Sequence, residues 1–235
     1  MNKLYCYNRW MFREMCGYSG WDRKNIPENS AFISICGTFE CQSLVLFESE
    51  DHYLGDPRKN ILNLDFDDIT CEKVEIPEYP GRYVTGITLA QAKEAVKFIK
   101  KNLGKDFYVH CRAGHSRSQA FVRYILDMYS GIYNFSTRPE NPPINYNQYV
   151  LSMLKDAARE LGEYWRCCFL QNGYSVKKIF NQEGNTVVKI ENFPEVDIIL
   201  EPSGKCKITQ LELLDIDTDE LELFSILGNI LLKKS

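Results

Sequence analysis

The sequence lacks any long apolar run, since none approaches the roughly 20 residues that a membrane-spanning helix needs. Residues 1–5, Met-Asn-Lys-Leu-Tyr, also lack the apolar core of a signal peptide. There is no excess of positive charge, because the 235 residues carry a net charge of −4. We therefore expect neither bulk nucleic-acid binding nor membrane association, and we expect a cytoplasmic location.

Histidine is scarce, and closely spaced cysteine pairs of the metal-binding kind are absent. The three histidines, His52, His110 and His115, are not at metal-ligand spacing, and no Cys-x-x-Cys motif occurs. We therefore expect no metal and no other cofactor. The nine cysteines are odd in number and show no pairing pattern, which favours a reducing compartment.

The most informative stretch is residues 110–118, His-Cys-Arg-Ala-Gly-His-Ser-Arg-Ser. The apolar run 107–109 precedes it and an amphipathic segment, 121–128, follows it, so the pattern predicts a strand, a loop and a helix. Backbone N–H groups at the start of such a helix hold a tetrahedral anion and favour a thiolate over a thiol. Cys111 is thus placed to act as a nucleophile.

Three neighbours of this cysteine have chemistry that suits a phosphoryl group. Arg117 returns to the mouth of the loop, where its planar fork can hold two phosphoryl oxygens. Ser118 can hydrogen-bond the thiolate or ease its departure from a covalent intermediate. His110 is expected to orient the loop rather than to transfer protons.

The motif His-Cys-x5-Arg-Ser resembles the active-site loop of the cysteine-dependent protein tyrosine phosphatases, and it is most similar to the dual-specificity branch. The resemblance covers about residues 30–160 and is strongest at the loop. It implies Cys111 as the phosphocysteine nucleophile, Arg117 as the phosphate clamp and Ser118 as the hydroxyl after the arginine. It also implies a phosphate cradle formed by the backbone of Arg112, Ala113, Gly114, His115, Ser116 and Arg117.

A general acid is expected at the end of a strand predicted over residues 61–66. The run 61–66 alternates polar and apolar residues, which predicts a strand, and Asp67 and Asp68 follow it. The leaving oxygen of a phosphomonoester needs a proton, and a carboxylic acid can supply it and then act as a base on water. Similarity to the dual-specificity pattern assigns Asp68 to this role, with Asp67 in reserve. A solvated acidic turn is the alternative interpretation.

Residues 72–86 are rich in proline and glycine and are expected to form a loop, as either a substrate-shaping flap with Tyr79, Arg82 and Tyr83 or surface padding. Thr88 and Gln91 form a capping box that predicts a helix. The remaining predicted elements are strands at Leu4–Tyr7, Ala31–Cys36 and Ser43–Phe47, a helix from Trp10 to Met15 stopped by Gly17, and a helix capped by 145–148.

The expected fold is α/β, with a mainly parallel central sheet flanked by helices, like the protein tyrosine phosphatases, and the site at the carboxyl end of a strand. We expect a catalytic domain over residues 1–165 and a small α+β module over 166–235. The module is predicted to be an antiparallel meander of three to five strands followed by a helix from Asp217. Its role is not indicated, and it is a candidate to bind a protein partner.

The expected activity is hydrolysis of phosphotyrosine, phosphoserine or phosphothreonine in proteins. A phosphoinositide, nucleotide or RNA 5′-phosphate substrate is the alternative within the same chemistry. Only Arg112 and His115 supply further basic side chains in the loop, and Gln119 follows Ser118 where RNA-directed relatives carry Thr-Gly, so both features count against that alternative. A pseudophosphatase that binds phosphate or acts as an adaptor is the alternative from another class. Some relatives protect their nucleophile by a reversible disulfide, and Cys36 and Cys71 are candidates for such a bond with Cys111.

Overall fold

The chain folds into two compact units, residues 1–158 and 159–235, in a computed structural model. The expected domain boundary, at 165/166, falls instead inside a helix of the second unit, Glu163–Gln171. The structure describes residues 2–38, 52–129, 135–137, 145–191, 193–201, 205–210 and 216–219. The predicted strand Ser43–Phe47 lies outside these ranges.

The first unit is built on a five-stranded sheet in which all neighbouring strands are parallel. Its elements are β1 Asn2–Asn8, α1 Arg9–Tyr18, β2 Ser30–Cys36, β3 Ile61–Asp65, β4 Lys73–Glu75, β5 Tyr83–Thr85, α2 Leu89–Lys101, β6 Asp106–Cys111, α3 Arg117–Tyr129, β7 Phe135–Thr137 and α4 Gln148–Glu160. The strand order β3-β2-β6-β1-β7 places β6 at the centre. The predicted α/β class with a parallel central sheet is therefore confirmed.

Helices cover both faces of this sheet, as the buried, continuously apolar strands of a parallel sheet require. On one face, Tyr7 of β1 packs against Phe12 of α1. On the other, the neighbouring residue Cys6 contacts Ser118 of α3. Since consecutive residues of a strand point to opposite faces, α1 and α3 lie on opposite sides of the sheet.

Side-chain caps set the starts of α1 and α2. The capping box of Thr88 and Gln91 is present at the start of α2, as predicted, and the side chain of Asn8 caps α1. The predicted stop of α1 at Gly17 is wrong, because the helix continues to Tyr18 and the chain turns at Gly20, whose φ is +65°. None of the helices in the described part of the chain is long and apolar enough to cross a membrane.

Residues 72–86 form no helix, as predicted, but the loop prediction missed that β4 and β5 pair there as an antiparallel hairpin. Pro77, Pro80 and Gly81 lie in its tip, residues 76–82, and Gly86 follows β5. There the Ile76 N–H donates to the Arg82 carbonyl at 2.9 Å, and the Gly81 N–H donates to the Glu75 carboxylate at 2.8 Å. Because of the turn residues in the tip, the sequence pattern did not indicate the two three-residue strands.

The second unit combines one helix with a five-stranded antiparallel meander, which confirms the predicted meander. Its elements are α5 Glu163–Gln171, β8 Val176–Gln182, β9 Asn185–Ile190, β10 Phe193–Leu200, β11 Lys205–Gln210 and β12 Ile216–Asp219. Trp165 and Phe169 of α5 share a buried core with Val188 and Ile198. The predicted helix from Asp217 is wrong over the described residues, because this stretch pairs with β11. Residues 220–235 lie outside the described part.

Candidate active site

The loop of residues 112–116 joins the carboxyl end of the central strand β6 to the first turn of α3. Cys111 is the last residue of β6, and Arg117 is the first of α3. In parallel sheets, ligands bind beyond the carboxyl ends of the strands. The N–H groups at the start of α3 also add positive potential there. The predicted strand-loop-helix arrangement around Cys111 is thus present.

Gly114 allows the loop to pass close to β1. Its φ is +73°, a left-handed conformation that suits glycine. A Cβ atom there would lie 2.6 Å from the Asn8 nitrogen and 2.9 Å from the Tyr7 carbonyl oxygen, so no larger residue fits without movement. The Arg9 N–H also donates to the Arg112 carbonyl at 3.2 Å, which ties the loop to the start of α1.

The sulfur of Cys111 lies inside a small set of polar partners. It accepts a hydrogen bond from the Gly114 N–H at 3.3 Å and lies 3.1 Å from the Ser118 hydroxyl oxygen. Only 1% of Cys111 is exposed, and Ser118 is fully buried. Because both groups can donate a hydrogen bond to sulfur, they suit a thiolate.

Cys6 is a part of this site that the sequence did not indicate. Its thiol donates to the Ser118 hydroxyl oxygen at 3.1 Å and lies 3.4 Å from the Gly114 carbonyl oxygen. Burial raises the pKa of Cys6 to about 12, the Ser118 hydrogen bond lowers it and the charge of Cys111 raises it. Cys6 is therefore a neutral hydrogen-bond donor at neutral pH. Because it donates to the Ser118 oxygen, the Ser118 hydroxyl can in turn donate its hydrogen bond to the Cys111 sulfur. The contact depends on pairing β1 with β6, which has no local sequence signal.

Arg117 is almost fully buried and is fixed against the end of the strand that leads to the two acids. Its Nη1 donates to the Phe66 carbonyl at 2.7 Å. A guanidinium group has five N–H donors in a rigid plane, so this bond sets the direction of the others. Arg117, the predicted phosphate clamp, is therefore held next to segment 66–68, which contains both acids.

Asp68 is exposed and is bonded directly to the loop. Its Oδ1 accepts hydrogen bonds from the Ser116 hydroxyl and from the Asn147 amide, each at 2.7 Å. Asn147 also donates to the Ile69 carbonyl at 3.0 Å and accepts from the Val150 N–H at the start of α4. The sequence predicted a helix capped by residues 145–148 but not the bond of Asn147 to Asp68.

Asp67, the reserve acid, anchors the β4–β5 hairpin. Its carboxylate accepts hydrogen bonds from the Thr85 N–H at 2.9 Å and from the Thr38 hydroxyl. Its own N–H donates to the Thr85 carbonyl at 2.6 Å, and only 5% of the residue is exposed. Asp67 is thus held by the hairpin, whereas Asp68 accepts a hydrogen bond from Ser116 of the loop.

His110 lies on the sheet face that packs against α1, with its ring 4.1 Å from that of Phe12. Neither ring nitrogen finds a hydrogen-bond partner among the described residues. Burial, followed by the charges of Arg9, His52 and Arg13, lowers the pKa of His110 to about 3. The imidazole is therefore neutral, and any influence on the loop acts through ring packing.

The side chains at the mouth of the loop differ in exposure. Arg112, Ala113 and His115 are exposed, whereas Ser116 is half-buried. The exposed side chains can contact a bound molecule, while the Gly114 N–H of the loop backbone faces the cysteine sulfur. No disulfide joins cysteines of the described residues, so the Cys36 and Cys71 pairings stay predictions.

Another group of side chains has ligand atoms close enough for a metal ion. One ligand atom each of Cys36, His52 and Asp65 lies within 4.8 Å of the others. However, the sulfur is 3.6 Å from Nδ1 of the imidazole, while the carboxylate is 3.1 Å from Nε2. The two ring nitrogens of His52 point in different directions. A single ion therefore cannot replace both the contact of Nδ1 with the sulfur and the contact of Nε2 with the carboxylate.

Comparisons with protein-family models, with curated proteins and with solved structures find no match for this chain. The family resemblance therefore depends on the residues of the loop and of the acidic segment.

Proposed function

We propose that the protein is a phosphomonoester hydrolase that works through a phosphocysteine intermediate at Cys111. The carrying observation is the grouping of the Cys111 sulfur, the Ser118 hydroxyl and the Gly114 N–H at the start of α3. Arg117 and Asp68 adjoin the same loop. The resemblance to the dual-specificity branch of the protein tyrosine phosphatases assigns the same residues.

In the first step, the Cys111 thiolate attacks phosphorus, and the bond from phosphorus to the leaving oxygen breaks. Asp68 donates its proton to that oxygen. The phosphoryl oxygens are held by the loop N–H groups and by the Arg117 guanidinium, which stabilise negative charge in the transition state. The hydrogen bond of Asp68 to Ser116 keeps the acid next to the loop.

In the second step, Asp68 removes a proton from water, and the resulting nucleophile attacks the phosphocysteine. The bond between sulfur and phosphorus breaks, and inorganic phosphate leaves. Ser118 donates a hydrogen bond to the departing thiolate, because its hydroxyl is 3.1 Å from the sulfur and already accepts from Cys6. This serine therefore favours breakdown of the intermediate.

The favoured substrate is a phosphoprotein, with phosphotyrosine, phosphoserine or phosphothreonine as the reacting group. This preference follows from the dual-specificity resemblance and from the few basic side chains at the mouth, Arg112 and His115. The cytoplasm is the proposed location, in line with a thiolate nucleophile that must stay reduced.

Trapping of the intermediate tests this proposal. Ser118→Ala slows the second step, so acid quenching during turnover of an aryl phosphate is expected to leave one phosphoryl group on the peptide that contains Cys111. Ser152→Ala, at an exposed serine of α4, is the matched control and is expected to show wild-type kinetics. Phosphate on another residue, or a wild-type chain that binds but never hydrolyses phosphate esters, contradicts the proposal.

A further inference from the structure

A second group of reactive side chains lies at the carboxyl ends of β2 and β3. Cys36 and Asp65 are the last residues of these strands and are partners in register. His52 lies between them, with Nδ1 3.6 Å from the Cys36 sulfur and Nε2 3.1 Å from an Asp65 oxygen. The same Nδ1 is 2.7 Å from the Ser34 hydroxyl. The three groups thus form a line of thiol, imidazole and carboxylate.

The surroundings of the sulfur favour an anion rather than a metal ion. The Arg9 guanidinium lies 3.9 Å from the Cys36 sulfur, and a fixed positive charge there opposes a bound cation. The carboxylate and the sulfur also face different ring nitrogens of His52, which suits a hydrogen-bonded line and not a shared ion.

The imidazole is the second positive charge beside this sulfur. Burial disfavours the charged ring, but hydrogen bonds to Asp65 and Cys36 outweigh it and raise the pKa of His52 to about 9. His52 is therefore protonated at neutral pH, and the sulfur faces both an imidazolium and a guanidinium group. Both groups are placed to stabilise negative charge that develops on the sulfur.

We propose that Cys36, His52 and Asp65 form a thiol oxidation site that reacts with hydrogen peroxide or a similarly small hydroperoxide. The thiolate attacks one peroxide oxygen, a sulfur–oxygen bond forms and the oxygen–oxygen bond breaks. Sulfur is oxidised to sulfenic acid by two electrons, and the peroxide is reduced. His52 gives its proton to the leaving hydroxide, which departs as water, and Asp65 holds the ring in place.

Burial of the sulfur sets the size of the reagent. Cys36 is 1% exposed, whereas the side chains of His52 and Asp65 are 17% and 60% exposed. A molecule only slightly larger than water is therefore favoured over a bulky electrophile. Cys71 offers the opposite case, since it is exposed and its thiol donates to the Lys73 carbonyl at 3.8 Å.

The test measures oxidation at single cysteines in the full chain carrying Cys111→Ser, which removes the proposed catalytic thiolate from competition. Hydrogen peroxide is added with dimedone, and mass spectrometry follows sulfenic acid at Cys36 and Cys71. We expect Cys36 to react at least about tenfold faster than Cys71. With N-ethylmaleimide the order is expected to reverse, because the exposed thiol is the accessible one.

His52→Gln is expected to slow oxidation of Cys36 by about tenfold or more and to leave Cys71 unchanged, since the proton for the leaving hydroxide is lost. Asp65→Asn, on an exposed side chain, is expected to give a smaller decrease in the oxidation rate of Cys36. It replaces His52→Gln in the test if that variant fails to fold. Equal peroxide rates at the two cysteines overturn the proposal. So does protection of Cys36 by an equimolar amount of Zn²⁺, which would indicate a metal site.

Discussion

At the scale of single residues, the site depends on polar groups that lie close to the Cys111 sulfur. Cys111 receives hydrogen bonds or close contacts from Gly114 and Ser118, and Cys6 supports Ser118 from the neighbouring strand. The Cys111 sulfur, the Ser118 hydroxyl and the loop backbone therefore form one polar cluster beneath the proposed anion position. Substitutions here are expected to affect stability and activity together.

Gly114→Ala is expected to destabilise the fold by at least about 2 kcal/mol and to reduce turnover. The added Cβ would meet the backbone of Tyr7 and Asn8, and the residue must hold a left-handed conformation. Gly17→Ala is the control, because nothing lies within 4 Å of its Cβ position in α1, and a gain of up to about 1 kcal/mol is expected. Urea unfolding measures both, and equal stability of the two variants contradicts the account of the loop.

His110 is expected to contribute a loss of stability in mild acid. Its pKa is about 3 in the folded chain against 6.5 as the reference, so between about pH 6.5 and pH 3 only the unfolded chain binds this proton. Stability is then lost as the pH falls through 6.5, by about 1.4 kcal/mol per further pH unit.

The test compares the free energy of unfolding at pH 7.5 and pH 5.5 for the wild type and His110→Asn. The wild type is expected to lose about 1.4 kcal/mol more than the variant over this interval. His110→Gln checks that the effect does not depend on one substitution. Parallel losses in all three proteins would show that the buried ring does not carry this linkage.

At the scale of elements, the hairpin of β4 and β5 is linked to the proposed acid. Asp67 bonds to Thr85 through both its backbone and its carboxylate, and Asp68 follows directly in the chain. The tip, residues 76–82, carries Tyr79, which is 52% exposed. The hairpin is therefore suited to contact the part of a substrate that lies beyond the phosphate.

Replacing residues 76–82 with Asn-Gly, a sequence that closes a two-residue hairpin, tests this role. We expect turnover of a small aryl phosphate to stay near the wild-type value, because the loop and Asp68 are untouched. For a phosphopeptide we expect KM to rise roughly tenfold, equivalent to about 1.4 kcal/mol of lost contact. An unchanged KM for the phosphopeptide would show that the hairpin tip does not contact the substrate.

Elements with strong local signals could be predicted from the sequence. The alternating run before Asp67, the capping box of Thr88 and the strand before Cys111 all lead to the observed elements. The hairpin was missed because its strands are three residues long and its tip resembles a loop. The predicted helix at Asp217 failed because pairing with β11 overrode the local pattern.

The parts of the candidate site that escaped prediction depend on pairing between distant segments. Cys6 approaches Ser118 only because β1 pairs with β6, and Asn147 reaches Asp68 from the far end of the unit. Cys36 and Asp65 meet through the register of β2 and β3. Strand order and register have weak signals in a single sequence, so these contacts needed the structure.

At the scale of the whole molecule, the proposed catalytic residues all belong to the first unit, residues 1–158, and the second unit has its own buried core. A chain that ends at Glu160, so that α4 is retained, is expected to hydrolyse a small aryl phosphate within about twofold of the full chain. A changed choice among phosphoproteins would indicate that the second unit binds a partner. Loss of small-substrate turnover by a folded truncated chain contradicts this division of roles.

The most direct test of the central claim is hydrolysis of an aryl phosphate by the full chain, in reductant and from about pH 5 to 8, a range that brackets a thiolate nucleophile. We predict turnover by the wild type, none by Cys111→Ser and a decrease of about 10²-fold or more by Asp68→Asn. Cys71→Ser and Asp56→Asn, at exposed positions, are the matched controls and are expected to keep wild-type rates. A folded wild type without turnover, or a Cys111→Ser variant that keeps it, would contradict the account.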